Sequence, residues 1–152
     1  MKQRDIKSDF QLFLKEKRFL PLSAWEKPFS LVHGDRKNFK ENIKKIRSKV
    51  GKTKGLYVYK KGKRILYVGK GGPLFNRIKS HYIESYSKVL GDTRWDTWHN
   101  FFSSKRNKGL VTIFWKKVEA EEERYILEKM LQYVLKTEFE PFRKKLEKRK
   151  VR

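Results

Sequence analysis

The chain has 152 residues and carries 40 Lys and Arg against 17 Asp and Glu, a formal net charge of +23. With 38% hydrophobic and 14% aromatic residues it can still bury a core, so the charge decorates one folded domain and not a disordered segment. The absence of Cys excludes disulfides, thiolate metal sites and cysteine nucleophiles, and the charge disfavours an ordinary small-molecule enzyme while drawing polyanions, nucleic acid first.

Residues 1–50 read as a basic helical extension. Ile6, Phe10, Phe13 and Leu14 share one helical face, and Pro21 and Pro28 bracket a loop around Trp25. The apolar run Phe10 to Leu14 is interrupted by Gln11 and flanked by charges, so no export signal or membrane span is expected and the chain is expected in the cytoplasm. After Gly34 and Asp35, read as the N-cap, Phe39, Ile43, Ile46 and Val50 recur at helical spacing. The opposite side carries Lys37, Lys40, Lys44, Lys45, Arg47 and Lys49, either a solvated face or a phosphate-contacting one.

From residue 51 to 152 the pattern is that of a second unit. Leu56-Tyr57-Val58-Tyr59 and Ile65-Leu66-Tyr67-Val68, separated by a turn around Gly62, predict a β-hairpin. Tyr57 and Tyr67 share a sheet face only if the hairpin loop is odd, such as Lys61-Gly62-Lys63. That register gathers Leu56, Val58, Leu66 and Val68 on the other face and leaves Tyr59 and Gly69 with the tyrosines. Pro73 opens a helix through Leu74, Ile78 and Tyr82. The inserted segment 83–110 interleaves Trp95, Trp98, Phe101 and Phe102 with Arg94, Lys105 and Arg106, suited to a nucleic-acid groove or to packing over the sheet. A third strand is expected at Val111 to Trp115. A helix follows from the acidic cluster at Glu121 to Glu123 with an apolar stripe through Ile126, Leu127, Met130, Leu131, Val134 and Leu135, and a basic tail closes the chain.

Gly55-Leu56-Tyr57 and Tyr67-Val68-Gly69, with Lys70, Leu74, the Arg77-Ile78 pair and His81 at ordered spacings, resemble the GIY-YIG nuclease family over roughly residues 55 to 140. The resemblance implies an α/β (α+β) fold, a small three-stranded antiparallel sheet flanked by helices, here with a helical N-terminal extension. It implies DNA phosphodiester hydrolysis with one divalent ion, Mg²⁺ or Mn²⁺, held by a helix glutamate.

Such hydrolysis needs a deprotonated water, charge stabilisation on the phosphate and help for the leaving 3′ oxygen. Tyr57, assisted by Tyr67, is the expected general base, its phenol eased toward ionisation by Arg77, Lys70 and the metal. Arg77 presents a planar fork to phosphate and His81, one helical turn on, relays a proton or donates to phosphate. Glu123 is preferred as the metal ligand because Ile126, Leu127 and Met130 follow it at family spacing. Glu128 is the alternative, better placed by its interval from the third strand. Lys70, Lys79, Arg94, Lys105 and Arg106 are the expected nucleic-acid contacts. The reading is a restriction-type or phage-type endonuclease, with a non-catalytic nucleic-acid-binding protein of the same fold as the rival. A duplex cutter with one site per chain needs two chains or two visits, which leaves a homodimer open.

Overall fold

The computed structural model describes residues 5–87 and 93–140, with 142 and 144 beyond them, and the backbone alone at 93–96. In chain order the elements are α1 (Ile6–Glu16), a 3₁₀ turn (Leu22–Ala24), β1 (Phe29–His33), α2 (Phe39–Val50), β2 (Gly55–Lys61), β3 (Arg64–Gly71), α3 (Leu74–Glu84), α4 (Thr93–Ser103), β4 (Gly109–Lys117) and α5 (Glu121–Leu135). The strands form one antiparallel sheet in the order β1-β4-β2-β3.

The sheet therefore has four strands where three are expected from the sequence. The additional strand, β1, lies in the stretch read as helical. Phe29, Leu31 and His33 face inward in alternation, and Pro28 and Gly34 bound the segment. Its five residues are too few to give a clear period, and a histidine at the third inward position blurs what period there is. Asp35 does not cap α2 either. Its carboxylate accepts from the Lys37 N–H at 2.9 Å in the preceding turn, and the helix starts after Asn38, which has φ 63°.

Each face of the sheet has its own core. Leu56, Val58 and Val68 pack with Leu14 of α1, Trp25, and Leu127, Leu131 and Val134 of α5. The opposite face carries Phe29, Leu31, Tyr57, Tyr59, Val111 and Ile113 under α2, α3 and α4. α5 also runs along β3, the edge strand: Gln132 donates to the Val68 carbonyl at 3.0 Å, and just past the helix the Glu138 N–H donates to the Ile65 carbonyl at 3.0 Å. These bonds occupy an edge that would otherwise offer unpaired backbone groups to another chain.

The hairpin reaches the expected face assignment by another route. Its turn has two residues, Gly62 and Lys63, with Gly62 at φ +61°, a position that favours glycine in such turns. Lys61 pairs with Arg64 and Lys60 with Ile65, but Tyr59 pairs with Tyr67, so Leu66 is one extra residue in β3. This bulge reverses the parity set by the even turn and brings Tyr57, Tyr59, Tyr67 and Gly69 to one face. The exception is Leu66, which joins the core on the tyrosine side instead of the aliphatic face.

His33 lies on that side against Tyr59, Tyr82 and Phe102, with ring centroids 5.2, 5.9 and 5.2 Å away. Neither ring nitrogen has a hydrogen-bond partner of good geometry. Burial above all, against an opposing effect of the Leu31 backbone and with a still smaller contribution from Lys61, pulls its pKa to about 3. The unfolded histidine binds its proton near pH 6.5, so this contribution to stability is complete above that pH and is lost as pH falls toward 3, by about 1.4 kcal/mol per pH unit. Urea midpoints measured from pH 7 to pH 4 are expected to fall, and His33→Phe, which removes the titration, is expected to make that fall shallower.

Candidate active site

Tyr57 on β2 stands opposite Gly69 on β3, and the bare backbone there is a steric requirement: a Cβ at Gly69 would overlap the Tyr57 phenol and the Tyr67 ring. The helix that follows β3 brings His81 to the same place. Its Nε2 lies 2.6 Å from the Tyr57 hydroxyl and its Nδ1 lies 3.4 Å from the Glu84 carboxylate. Trp98 of α4 stacks on the imidazole with centroids 3.6 Å apart and planes at 22°, and its indole N–H donates to the His81 carbonyl at 2.8 Å.

Burial first, then the charge of Arg77 and the presence of His33, holds the His81 pKa well below its ordinary value. The ring is therefore neutral and can accept from the Tyr57 hydroxyl. Tyr57 is fully buried, and burial with the neighbouring Tyr67 and Tyr59 raises its pKa well above 10 against the opposing effect of Arg77. Of the cations expected to ease its ionisation, Arg77 acts in that direction, and desolvation outweighs it. Tyr67 is half-buried; burial and Glu128 raise its pKa, while Arg77 and a hydrogen bond with Tyr57 lower it. Of these two tyrosines it is the one with partial exposure.

Arg77 projects from α3 at the exposed rim. Burial works against its charge, and the Tyr57 and Tyr67 phenols more than offset that, so its pKa is raised. Glu128 of α5 reaches the same neighbourhood across the β3 edge. Burial raises its pKa, and Lys129, Lys70 and Arg77 act in the opposite direction, with the Lys129 ammonium 3.8 Å from its carboxylate. Lys70 is half-buried on β3, where it pairs with Leu56 on the aliphatic face.

Glu123, the preferred ligand, is not brought to this site. It is exposed and lines a groove with Phe10, Phe13 and Phe19 beside α1, together with Ile126 and Met130. The buried side of α5 is Arg124, Leu127, Glu128, Leu131 and Val134, so the apolar residues that follow Glu123 are shared between two faces and do not fix its direction. The interval from the third strand, which favoured Glu128, is the better guide to placement. Among the described residues no group of three or more His, Cys, Asp or Glu side chains is placed to hold a metal. The donor at hand is the Glu128 carboxylate, which fits a hard ion retaining most of its water.

The expected nucleic-acid contacts are dispersed. Lys79 lies over the Phe75 ring at 5.7 Å, beside Arg47 at 4.9 Å. Lys105 and Arg106 are exposed in the turn after α4, where Arg106 sits 3.9 Å from Glu138 in a network with Arg64. The Arg94 and Trp95 side chains and most of the basic tail lie outside the described residues. Trp98, Phe101 and Phe102 are core residues over the tyrosine face, which settles their part of the 83–110 segment as packing. The sequence reading missed Glu84 and the stacking role of Trp98. The i, i+3 spacing of His81 and Glu84 was the available signal for the first, and nothing local announces the second.

Searches against family models, curated proteins and solved structures find no match to this chain. Among the described residues no helix is long and apolar enough to cross a membrane.

Proposed function

We propose that the chain is a divalent-metal-dependent endonuclease of the GIY-YIG type that hydrolyses DNA phosphodiester bonds. The observation that carries this reading is the convergence of Tyr57, Tyr67, Arg77, His81 and Glu128 at the β3–α3 junction, in a chain of net charge +23. Arg77, at the exposed rim, binds the scissile phosphate and the charge that develops on it. Because Tyr57 is fully buried, the water-activating role expected of it falls to its partner: Tyr67 takes a proton from the attacking water and is relieved of it through Tyr57 and His81. Glu128 would hold one Mg²⁺ or Mn²⁺, which supplies Lewis-acid stabilisation of the phosphate and leaving oxygen. The cytoplasm, a restriction-type or phage-type role, and action as a homodimer on duplex DNA accompany the proposal. So does DNA contact by Lys70, Lys79, Lys105, Arg106 and Arg94.

The complete burial of Tyr57 favours the rival, a DNA-binding protein that keeps the fold without the reaction. Incubation with supercoiled plasmid separates the two. The nuclease reading expects nicked or linear DNA with Mg²⁺ and intact plasmid with EDTA; intact plasmid in both, with binding retained, supports the rival.

A further inference from the structure

Behind the tyrosines stands a carboxylate that neither phosphate binding nor metal binding uses. Glu84 closes α3, its side chain is 12% exposed, and its Oε2 is 3.4 Å from His81 Nδ1. On the far side of the same imidazole, Nε2 is 2.6 Å from the Tyr57 hydroxyl. Trp98 holds the plane of the ring by stacking, and its indole N–H donates to the His81 backbone carbonyl. A neutral imidazole carries one proton, and the tautomer is set by what each nitrogen faces. A carboxylate accepts and does not donate, so the proton belongs on Nδ1. That leaves the Nε2 lone pair open to the phenol.

We infer that Glu84 is a positioning residue: it holds the His81 proton on Nδ1 so that Nε2 receives the proton leaving Tyr57. The inference rests on the nuclease reading for its consequence in rate, but not for the tautomer. During hydrolysis the water oxygen forms the new P–O bond and its proton goes to the Tyr67 oxygen. The Tyr57 hydroxyl has one proton to share between Tyr67 and His81; in this step it gives that proton to Nε2 as it takes the one from Tyr67. The P–O3′ bond breaks, the leaving oxygen takes a proton from solvent, and the proton held on Nε2 returns to solvent through the same hydroxyls as the product leaves. The imidazolium so formed has the Arg77 charge nearby to oppose it, and Glu84, 3.4 Å from Nδ1, is the anion that compensates it. This divides the labour as in the Ser-His-Asp arrangement, where the carboxylate orients the imidazole and stabilises its charge without taking the proton.

The test reads the tautomer directly. In ¹⁵N-labelled protein the ring nitrogens of His81, assigned by comparison with His33→Gln and His99→Gln, are expected to show Nδ1 protonated and Nε2 bare. Glu84→Leu is expected to lose that preference and to cut DNA about a hundredfold more slowly at unchanged duplex affinity. If Glu84→Leu does not fold, Glu84→Gln replaces it in the rate measurement, with loss of rate expected at unchanged melting temperature. A wild-type His81 protonated on Nε2 overturns the inference, as does an unchanged cleavage rate in the folded variant. A wild-type chain that shows the Nδ1 tautomer but never cuts DNA overturns the nuclease reading and leaves the placement of Glu84 standing.

Discussion

Arg77→Ala is expected to lower the DNA cleavage rate by about 10² to 10³, the size of effect that follows loss of one preorganised contact to a developing anion. Duplex affinity is expected to change little. Arg77 is one of 40 basic residues, and the bulk of the binding energy comes from counterions released along the whole contact. Its position is what makes it costly to lose: it stands at the exposed rim while the groups it polarises, Tyr57 and Tyr67, lie deeper. Arg77→Lys restores the charge without the planar fork and is expected to recover only part of the rate. Single-turnover cleavage, with affinity measured separately by anisotropy, checks both variants. Equal losses in affinity and rate would make Arg77 a binding residue only.

The second large effect concerns the two glutamates. Glu128→Gln is expected to abolish metal-dependent cleavage, and Glu123→Gln is expected to cut like the parent. Stability separates them as well. The Glu128 pKa is raised, chiefly by burial, so the ionised form is less favourable in the fold than in the unfolded chain. Above its folded pKa that difference costs stability, and below the unfolded value the cost is absent. At neutral pH and without metal, Glu128→Gln is therefore expected to melt higher than the parent. A variant that gains stability while losing activity would mark Glu128 as a residue retained against the interest of the fold. Normal cutting by Glu128→Gln with Mg²⁺ would remove the assignment.

The elements with long or ordered patterns were legible before the structure. The hairpin, the helix after Pro73, the strand at Val111 to Trp115 and the helix through Leu131 all stand where the sequence puts them. Tyr57 and Tyr67 share a face as expected, but through the extra residue Leu66, because parity constrains the number of residues between two positions and not where an irregularity falls. β1 was hidden by its brevity. The site was legible where one local run carries it, from Tyr67 through His81. It was not legible where tertiary packing decides: Glu123 and Glu128 are five residues apart on one helix, and only the way α5 lies along the β3 edge separates them. Trp98 reaches His81 from another helix, and no spacing in the sequence predicts that stack.

Cleavage of plasmid in H₂¹⁸O tests the central claim most directly, because it asks whether this centre activates water. The account predicts Mg²⁺-dependent cutting with one ¹⁸O atom entering the 5′ phosphate at each break, an unmodified 3′ hydroxyl, and no protein attached to the DNA. Plasmid that stays intact while fully bound would contradict the account, and so would a break in which the phosphate is found joined to Tyr57 or Tyr67.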